Sequence, residues 1–392
     1  MRRIAGIGIS LLMFGQVFAQ ISTQQLSGRV NTITTAVPLM RISPNARSGA
    51  MGETGLATTP DVNSIHWNAS KLAFIDKDFG LGVSYTPWLR ALVNDIYLSY
   101  LSGYKKVGKD QTIGMSLRYF SLGDIQFTDI VGNDVGSFKP NEFAVDGAYA
   151  RKITNNFSVA LTLRFIYSNL AAGQNVNGVP IKPGKAIATD VSMFYNKDIK
   201  LGEMDANWAF GANISNIGSK ISYTESSQRD FLPMNLGLGY SLKLKLDNYN
   251  EILFAFDLNK LLVPTPDTVD ANSNGVFDYR EKSVPGAMFS SFGDAPGGFG
   301  EEMSEIIIST GIEYWYDKQF AVRAGYFHED AKKGNRKYFT LGAGLRYNVF
   351  GLDFSYLIPT NAQQNPLNNT LRFTLVFNFE AFAKDTDTPK TE

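Results

Sequence analysis

The densest run of metal-ligating residue types is Asp270-Ala-Asn272-Ser-Asn274-Gly275-Val276-Phe277-Asp278-Tyr-Arg-Glu281. Its spacing is that of a calcium loop, with acidic or amide ligands at alternating positions, a glycine for the sharp turn and a closing glutamate. In that reading Asp270, Asn272 and Asn274 each give one side-chain oxygen and Val276 gives its carbonyl. Asp278 acts through water, and Glu281 binds with both oxygens. An Asn/Gly-rich turn without an ion fits the same residues. The run lies in the longest connection of the chain, where calcium would brace a loop.

Other chemistry finds few residues. There is no Cys, which excludes disulfides, thiolate catalysis, Cys-ligated metals and a lipoprotein anchor. The two His, His66 and His328, stand in no metal-ligand spacing and read as packing or loop residues. No Gly-x-Ser-x-Gly elbow is present. Gly237-Leu-Gly239 and Gly342-Ala-Gly344 lie inside strand-like runs, away from any strand-to-helix turn, and read as small inward residues. The reading is therefore of a protein that is not an enzyme. Lys+Arg 37 balances Asp+Glu 37, so nothing favours nucleic acid.

The elements that would carry the loop follow from a period-two pattern between Phe79 and Phe379. Leu371, Phe373, Leu375, Phe377 and Phe379 share one parity, while Thr370, Arg372, Thr374 and Asn378 share the other. Successive strand side chains point to opposite faces, so each strand has one apolar and one polar side. About fourteen such strands, with no helical stretch between them, predict an all-β transmembrane antiparallel barrel with lipid outside. They centre near Val83, Leu98, Leu117, Val145, Leu161, Val191, Phe210, Leu238, Phe254, Ile308, Val322, Leu341, Phe354 and Leu375.

If the face bearing Ile113, Met115, Leu117 and Tyr119 is outward, then Asp95, Arg118, Asp146, Arg164, Asp190, Asp257, Glu313, Arg323, Arg346, Asp353 and Arg372 all fall inward. Arg or Lys facing the bilayer midplane costs roughly 2–4 kcal/mol, so this segregation is what a barrel requires. The mixture of signs favours a paired network filling the lumen, where a selective pore would carry mostly one sign.

The chain divides into a secretory leader over 1–19, an N-terminal plug over 20–77, the barrel over 78–379 and a polar tail over 380–392. Arg2 and Arg3 precede an apolar stretch from Ile4 to Phe14, and Val17-Phe18-Ala19 is a small-residue cleavage site. The plug lacks the period-two pattern, is rich in Gly and Pro, and reads as partly helical around Ala46 to Met51. Connections alternate between long (Gly123–Asn141, Asn169–Ala186, Ile217–Leu232, Leu262–Glu305) and short (Ile153–Asn156, Asp247–Asn250, Asp317–Gln319, Asn348–Gly351). Long loops face outward in such barrels, which places both termini in the periplasm. Ser283 to Met303 carries Met288, Phe289, Phe292 and Phe299. It reads equally as an adaptable docking surface and as a cap folded over the barrel mouth.

The segment Asn45-Ala-Arg-Ser-Gly-Ala-Met-Gly52-Glu-Thr-Gly-Leu-Ala57, followed by Asp61 and Asn68-Ala69-Ser70-Lys71-Leu72, resembles the leading motif of FadL-type outer-membrane barrels. Their Asn-Pro-Ala-x-Leu lacks its Pro here. With Arg41-Ile-Ser-Pro-Asn-Ala-Arg-Ser-Gly-Ala-Met-Gly52 and the end near Phe379, the chain is most similar to the PorV (LptO) family of the type IX secretion system of Bacteroidota. That resemblance implies a non-catalytic shuttle in the outer membrane, among lipid and lipopolysaccharide. It would collect secreted cargo at the translocon barrel by the cargo's C-terminal signal domain. It would then deliver the cargo to an attachment complex containing the sortase-like protease PorU. A FadL-like transporter of hydrophobic small molecules is the alternative. A lipopolysaccharide-modifying enzyme is a third class, but no nucleophile and base stand together for it.

Overall fold

A computed structural model describes residues 31–379 apart from 90–92, 94, 129–130, 172–174, 177–178, 225–228, 267–268 and 361–369. The expected leader (1–19), the first residues of the plug (20–30) and the expected tail (380–392) lie outside the described residues.

Fourteen antiparallel strands form one closed barrel. They are β1 (Phe79–Pro87), β2 (Ile96–Lys106), β3 (Gln111–Leu122), β4 (Asn141–Lys152), β5 (Phe157–Asn169), β6 (Gly184–Leu201), β7 (Met204–Gly218), β8 (Asn235–Lys245), β9 (Asn250–Leu261), β10 (Ile307–Tyr316), β11 (Phe320–His328), β12 (Lys337–Tyr347), β13 (Phe350–Pro359) and β14 (Leu371–Phe379). Each pairs with its sequence neighbours, and β1 closes on β14 in the register Phe79↔Phe379, Val83↔Leu375 and Tyr85↔Phe373. Every expected strand centre falls inside its strand. Closure is the physical requirement, because an open sheet edge in hydrocarbon leaves unpaired backbone groups. No helix among the described residues is long and apolar enough to cross a membrane.

The pattern of exposure follows the period of two. Met115 is 63% exposed and Ile113 45%, whereas Thr112 and Ser116 on either side of them are buried toward the interior. Aromatic pairs collect at both ends of the outer wall. Tyr85–Tyr97, Tyr97–Tyr119 and Phe143–Tyr167 mark the long-loop end, with ring centroids 5.7, 6.3 and 5.0 Å apart. Phe79–Phe379 and Tyr249–Tyr316, at 5.8 and 6.5 Å, mark the short-turn end. These are the two interfacial girdles of a bilayer-spanning barrel.

Two of the long connections carry hairpins of their own, Ile125–Thr128 with Asp134–Phe138 and Asn175–Val176 with Val179–Pro180. The barrel's register slips once between β6 and β7, at Thr189/Val191. There Asn216 takes a positive φ of 60° and donates its backbone N–H to Asp190 Oδ1 at 2.7 Å. A carboxylate thus satisfies an amide that the bulge removes from the ladder.

Residues 31–78 fill the lumen. They carry short turns of helix at Pro38–Arg41, Ala46–Gly49, Ser64–Trp67 and Ala69–Phe74. The helical expectation around Ala46 to Met51 is met by Ala46–Gly49 and the turn that follows it.

Candidate functional site

A plug of irregular backbone inside a membrane barrel has amide and carbonyl groups that no sheet satisfies, and leaving them buried without partners is expensive. The inward hydroxyls of the wall supply those partners. Ala46 N donates to Thr374 Oγ1 (2.9 Å) and Gly52 N to Thr340 Oγ1 (2.8 Å). Ser241 Oγ donates to the Ala57 carbonyl and Ser158 Oγ to the Ser70 carbonyl, both at 2.7 Å. Asp257 Oδ2 accepts from both Gly55 N (2.7 Å) and Leu56 N (3.0 Å). The buried Lys71 ammonium donates to the Gly55 carbonyl (2.6 Å) and Thr58 Oγ1 (3.0 Å). Asn68 caps the turn that follows it, accepting from Ser70 N at 3.1 Å. Its Nδ2 joins plug to wall by donating to the Leu56 and Met193 carbonyls, each at 3.0 Å.

The wall also makes room. A Cβ on Gly325 of β11 would collide with the Gly52 amide, and one on Gly342 would collide with Ala50. Gly52 itself has φ +64° and lies against the Thr310 and Tyr326 carbonyls, a place only glycine fills without strain. The glycines of Gly237-Leu-Gly239 and Gly342-Ala-Gly344 thus all face inward: Gly237 and Gly239 make room for Leu56 of the plug and Gly342 for Ala50, while Gly344 clears the Arg323–Asp353 pair of the wall.

Ionised side chains lock the same contact. Arg47 of the plug grips Glu313 of β10 through two bonds, Nε–Oε2 at 2.8 Å and Nη2–Oε1 at 2.6 Å, and its Nη1 reaches Asp61 at 3.0 Å. Glu313 is shared with Arg323 (2.7 Å), Arg323 with Asp353 (2.8 Å), and Asp353 with Arg346 (2.7 Å). The Arg323 and Arg346 guanidiniums lie 5.4 and 5.3 Å from the centre of the Trp315 ring. Arg164 bridges Asp146 (2.6 Å) and Asp190 (2.9 Å), and Arg372 binds Glu53 (3.0 Å). The expected inward charges are therefore inward and mostly paired, with one correction. Asp95 is exposed at the rim, just before β2, where it accepts from Asp124 N at 2.7 Å. The parity rule fails there because the residue precedes the strand.

His66 is half-buried in the plug, its Nδ1 2.6 Å from Arg118 Nη2, and His328 ends β11. Arg47, Glu53 and Lys71 escaped the sequence reading as site residues. Their signal was a lysine and an arginine inside a small-residue segment otherwise fit only for burial.

Over the long-loop end, the segment Ser283 to Met303 has a packed side and an exposed side. Ala287 is buried on Ile33, Phe231, Met234 and Leu261–Val263, with Val284 and Met288 beside it, so this side caps the mouth. The opposite side presents Phe289 (81% exposed), Phe299 (80%), Phe292 (53%) and Met303 (50%). The cap is fastened by ion pairs. Lys333 reaches Glu301 (2.6 Å) and Glu305 (2.9 Å), and Lys260 reaches Glu302 (2.9 Å) and Glu305 (2.5 Å). Burial tends to raise the Glu301 pKa, but the Lys333 ammonium outweighs it and holds the group below its ordinary value of 4.5.

The residues expected to ligate calcium share one turn, with Asn272, Asn274 and Glu281 exposed, Asp270 and Asp278 half-buried and Val276 buried. Asp270 accepts from Asn274 N (3.2 Å) and Gly275 N (2.9 Å), Asn272 Oδ1 from Asn274 N (3.1 Å), and Asn274 Oδ1 from Val276 N (2.8 Å). The Asn272 and Asn274 amides both donate to Glu281, at 2.9 and 2.6 Å, and Asp278 accepts from Ala271 N at 3.2 Å. Glu281 thus faces the Asn side chains, held by their nitrogens. Among the described residues no group of three or more His, Asp or Glu is spaced to hold a metal.

A family profile described as "Type IX secretion system protein PorV" matches residues 24–268, which span the plug and the first nine strands. The chain belongs to the PorV family. It is an outer-membrane β-barrel of the type IX secretion system. Comparison with curated proteins finds no match. Among solved structures, the chain is similar to the toluene transporter TodX of P. putida, with 12% identity and a TM-score of 0.47 over 86% of this chain and 99% of that one. It is similar to the toluene transporter TbuX of Ralstonia pickettii, with 10% identity and a TM-score of 0.46 over 86% and 98%. A Pseudomonas aeruginosa FadL homologue has 11% identity and a TM-score of 0.41 over 89% and 99%.

Two outcomes follow from this geometry. Replacing Arg47 by Met leaves Glu313 buried with one partner fewer. We expect it to destabilise the folded barrel by about 3–5 kcal/mol in denaturant titrations in detergent, as broken buried pairs do. The second concerns the cap. A carboxylate held below its unfolded pKa contributes stability that is present above pH 4.5 and is lost as pH falls through the folded value. The chain has no Cys, so a spin label on Ser304→Cys reports the cap alone. Its mobility should rise as pH falls below about 4.5, and should already be high at neutral pH in Lys333→Met.

Proposed function

We propose that this PorV-family barrel is a closed, non-catalytic carrier that works through its loops. It binds secreted cargo by the C-terminal signal domain at the type IX translocon barrel. It then moves in the plane of the outer membrane, among lipid and lipopolysaccharide, to the attachment complex that contains the sortase-like PorU. One observation supports this reading best. The lumen is filled by a plug hydrogen-bonded to the wall on many sides, while four large apolar side chains are held out at the long-loop end on a fastened cap. A transporter needs a continuous path, whereas a carrier needs a surface. In this reading the long loops face the cell exterior and both termini face the periplasm.

Affinity purification of the native protein from outer membranes tests it. We expect a large translocon barrel and proteins bearing the C-terminal signal domain to come with it. The Phe289→Ser/Phe299→Ser variant should lose them several-fold while keeping a folded barrel. Recovery of lipid or fatty acid alone would favour the FadL-like transporter.

For the 270–281 loop we propose a calcium ion with a bracing role, held by Asp270, Asn272, Asn274, the Val276 carbonyl, Asp278 and Glu281. Binding requires both Asn side chains to turn their oxygens inward in place of the nitrogens that now meet Glu281. Calorimetry of the whole protein with calcium should give saturable heat in the millimolar range that disappears in Glu281→Gln; no heat at millimolar calcium refutes the ion.

A further inference from the structure

Arg41 of the plug and Arg336 of the loop after β11 share one carboxylate. Arg41 Nη2 is 3.0 Å from Glu329 Oε1, and Arg336 Nε is 2.7 Å from Glu329 Oε2. The neighbouring Glu53 is already taken by Arg372. Arg41, Arg336 and Arg372 therefore face Glu53 and Glu329, and one positive charge is left over.

The two guanidiniums stand between two spaces. On the outer side is an open apolar groove of about 370 Å³, walled by Leu39, Ile42, Trp88, Ile96, Phe120 and Leu122. On the inner side is a small chamber of about 110 Å³ with a mixed lining, in which Asn213, Asn259 and Ser309 stand beside Glu53, Leu56 and Phe327. Arg41 and Arg336 line both. Asn213 Oδ1 and Ser309 Oγ are buried without a hydrogen-bond partner, in residues only 6% and 1% exposed.

We propose that this groove and chamber receive the free C-terminal end of an extended apolar peptide. Its last residue passes the two guanidiniums into the chamber, where its carboxylate meets the unmatched charge on Arg41 and Arg336 from the inner side and its N–H reaches Asn213 or Ser309, while its preceding side chains lie in the groove. The chamber discriminates between occupants. Asn213 Oδ1 needs a donor, which a peptide backbone carries and a fatty-acid chain does not. Guanidinium and carboxylate supply a strong charge-assisted pair at the anchored end. The site rests on the carrier reading, to which it adds a place and a chemistry for peptide capture.

The test uses the full-length protein in lipid nanodiscs and a mixed library of dye-labelled hexapeptides with free C-termini, beside the same library amidated. Free-acid peptides with apolar side chains should be retained at least ten-fold over amidated ones. Arg336→Gln should abolish that preference. Leu122→Trp, which fills the groove and keeps the charge, should reduce retention of both libraries. Asn213→Leu should weaken peptides and leave palmitate unaffected. Equal retention of acid and amide, or retention of palmitate with no peptide, overturns the proposal. If cargo still co-purifies from membranes while the library shows no preference, the carrier reading stands and this site falls.

Discussion

Backbone polar groups have no partner in hydrocarbon, so a sheet placed there has to close, and a sheet of fourteen strands closes around a lumen. Everything distinctive here follows from how that lumen is filled. The wall presents Thr, Ser, Asp and Arg inward, and the plug meets them with backbone amides, carbonyls and its own Arg47, Glu53, Asn68 and Lys71. The result is a cylinder in which the polar face of each strand satisfies the inserted chain, so neither part is complete alone.

That filling bears on what kind of function the barrel can serve. Charges of both signs on the inner wall are neutralised in chains such as Arg47–Glu313–Arg323–Asp353–Arg346 and in the Asp146–Arg164–Asp190 group. Such chains fix one geometry and leave little free charge for passing ions. The surfaces left with unused capacity are at the long-loop end. There the cap holds phenylalanines into solvent, and two arginines compete for one glutamate.

The sequence was informative wherever one rule governed many residues. Lipid outside and polar matter inside repeats at every second position, so strand number, closure and the inward placement of Arg118, Asp146, Arg164, Asp190, Asp257, Glu313, Arg323, Arg346, Asp353 and Arg372 were all legible. Asp95 misled because parity says nothing of where a strand begins. The plug's bonds were not legible, since Asp257 and the Gly55 and Leu56 amides lie two hundred residues apart and no period links them. The loop of Ser283 to Met303 was ambiguous because one side of the segment packs over the barrel mouth while the other is left exposed. The Arg41–Glu329–Arg336 group joins three remote positions that carry no shared pattern.

The claim on which the rest depends is that the plug closes the barrel. Conductance of the purified protein in planar bilayers measures this directly. A pinned plug predicts no steady current in the wild type, and current that appears only when plug contacts such as Arg47–Glu313 and Asp257 are removed. A stable open channel in the wild-type protein would contradict it.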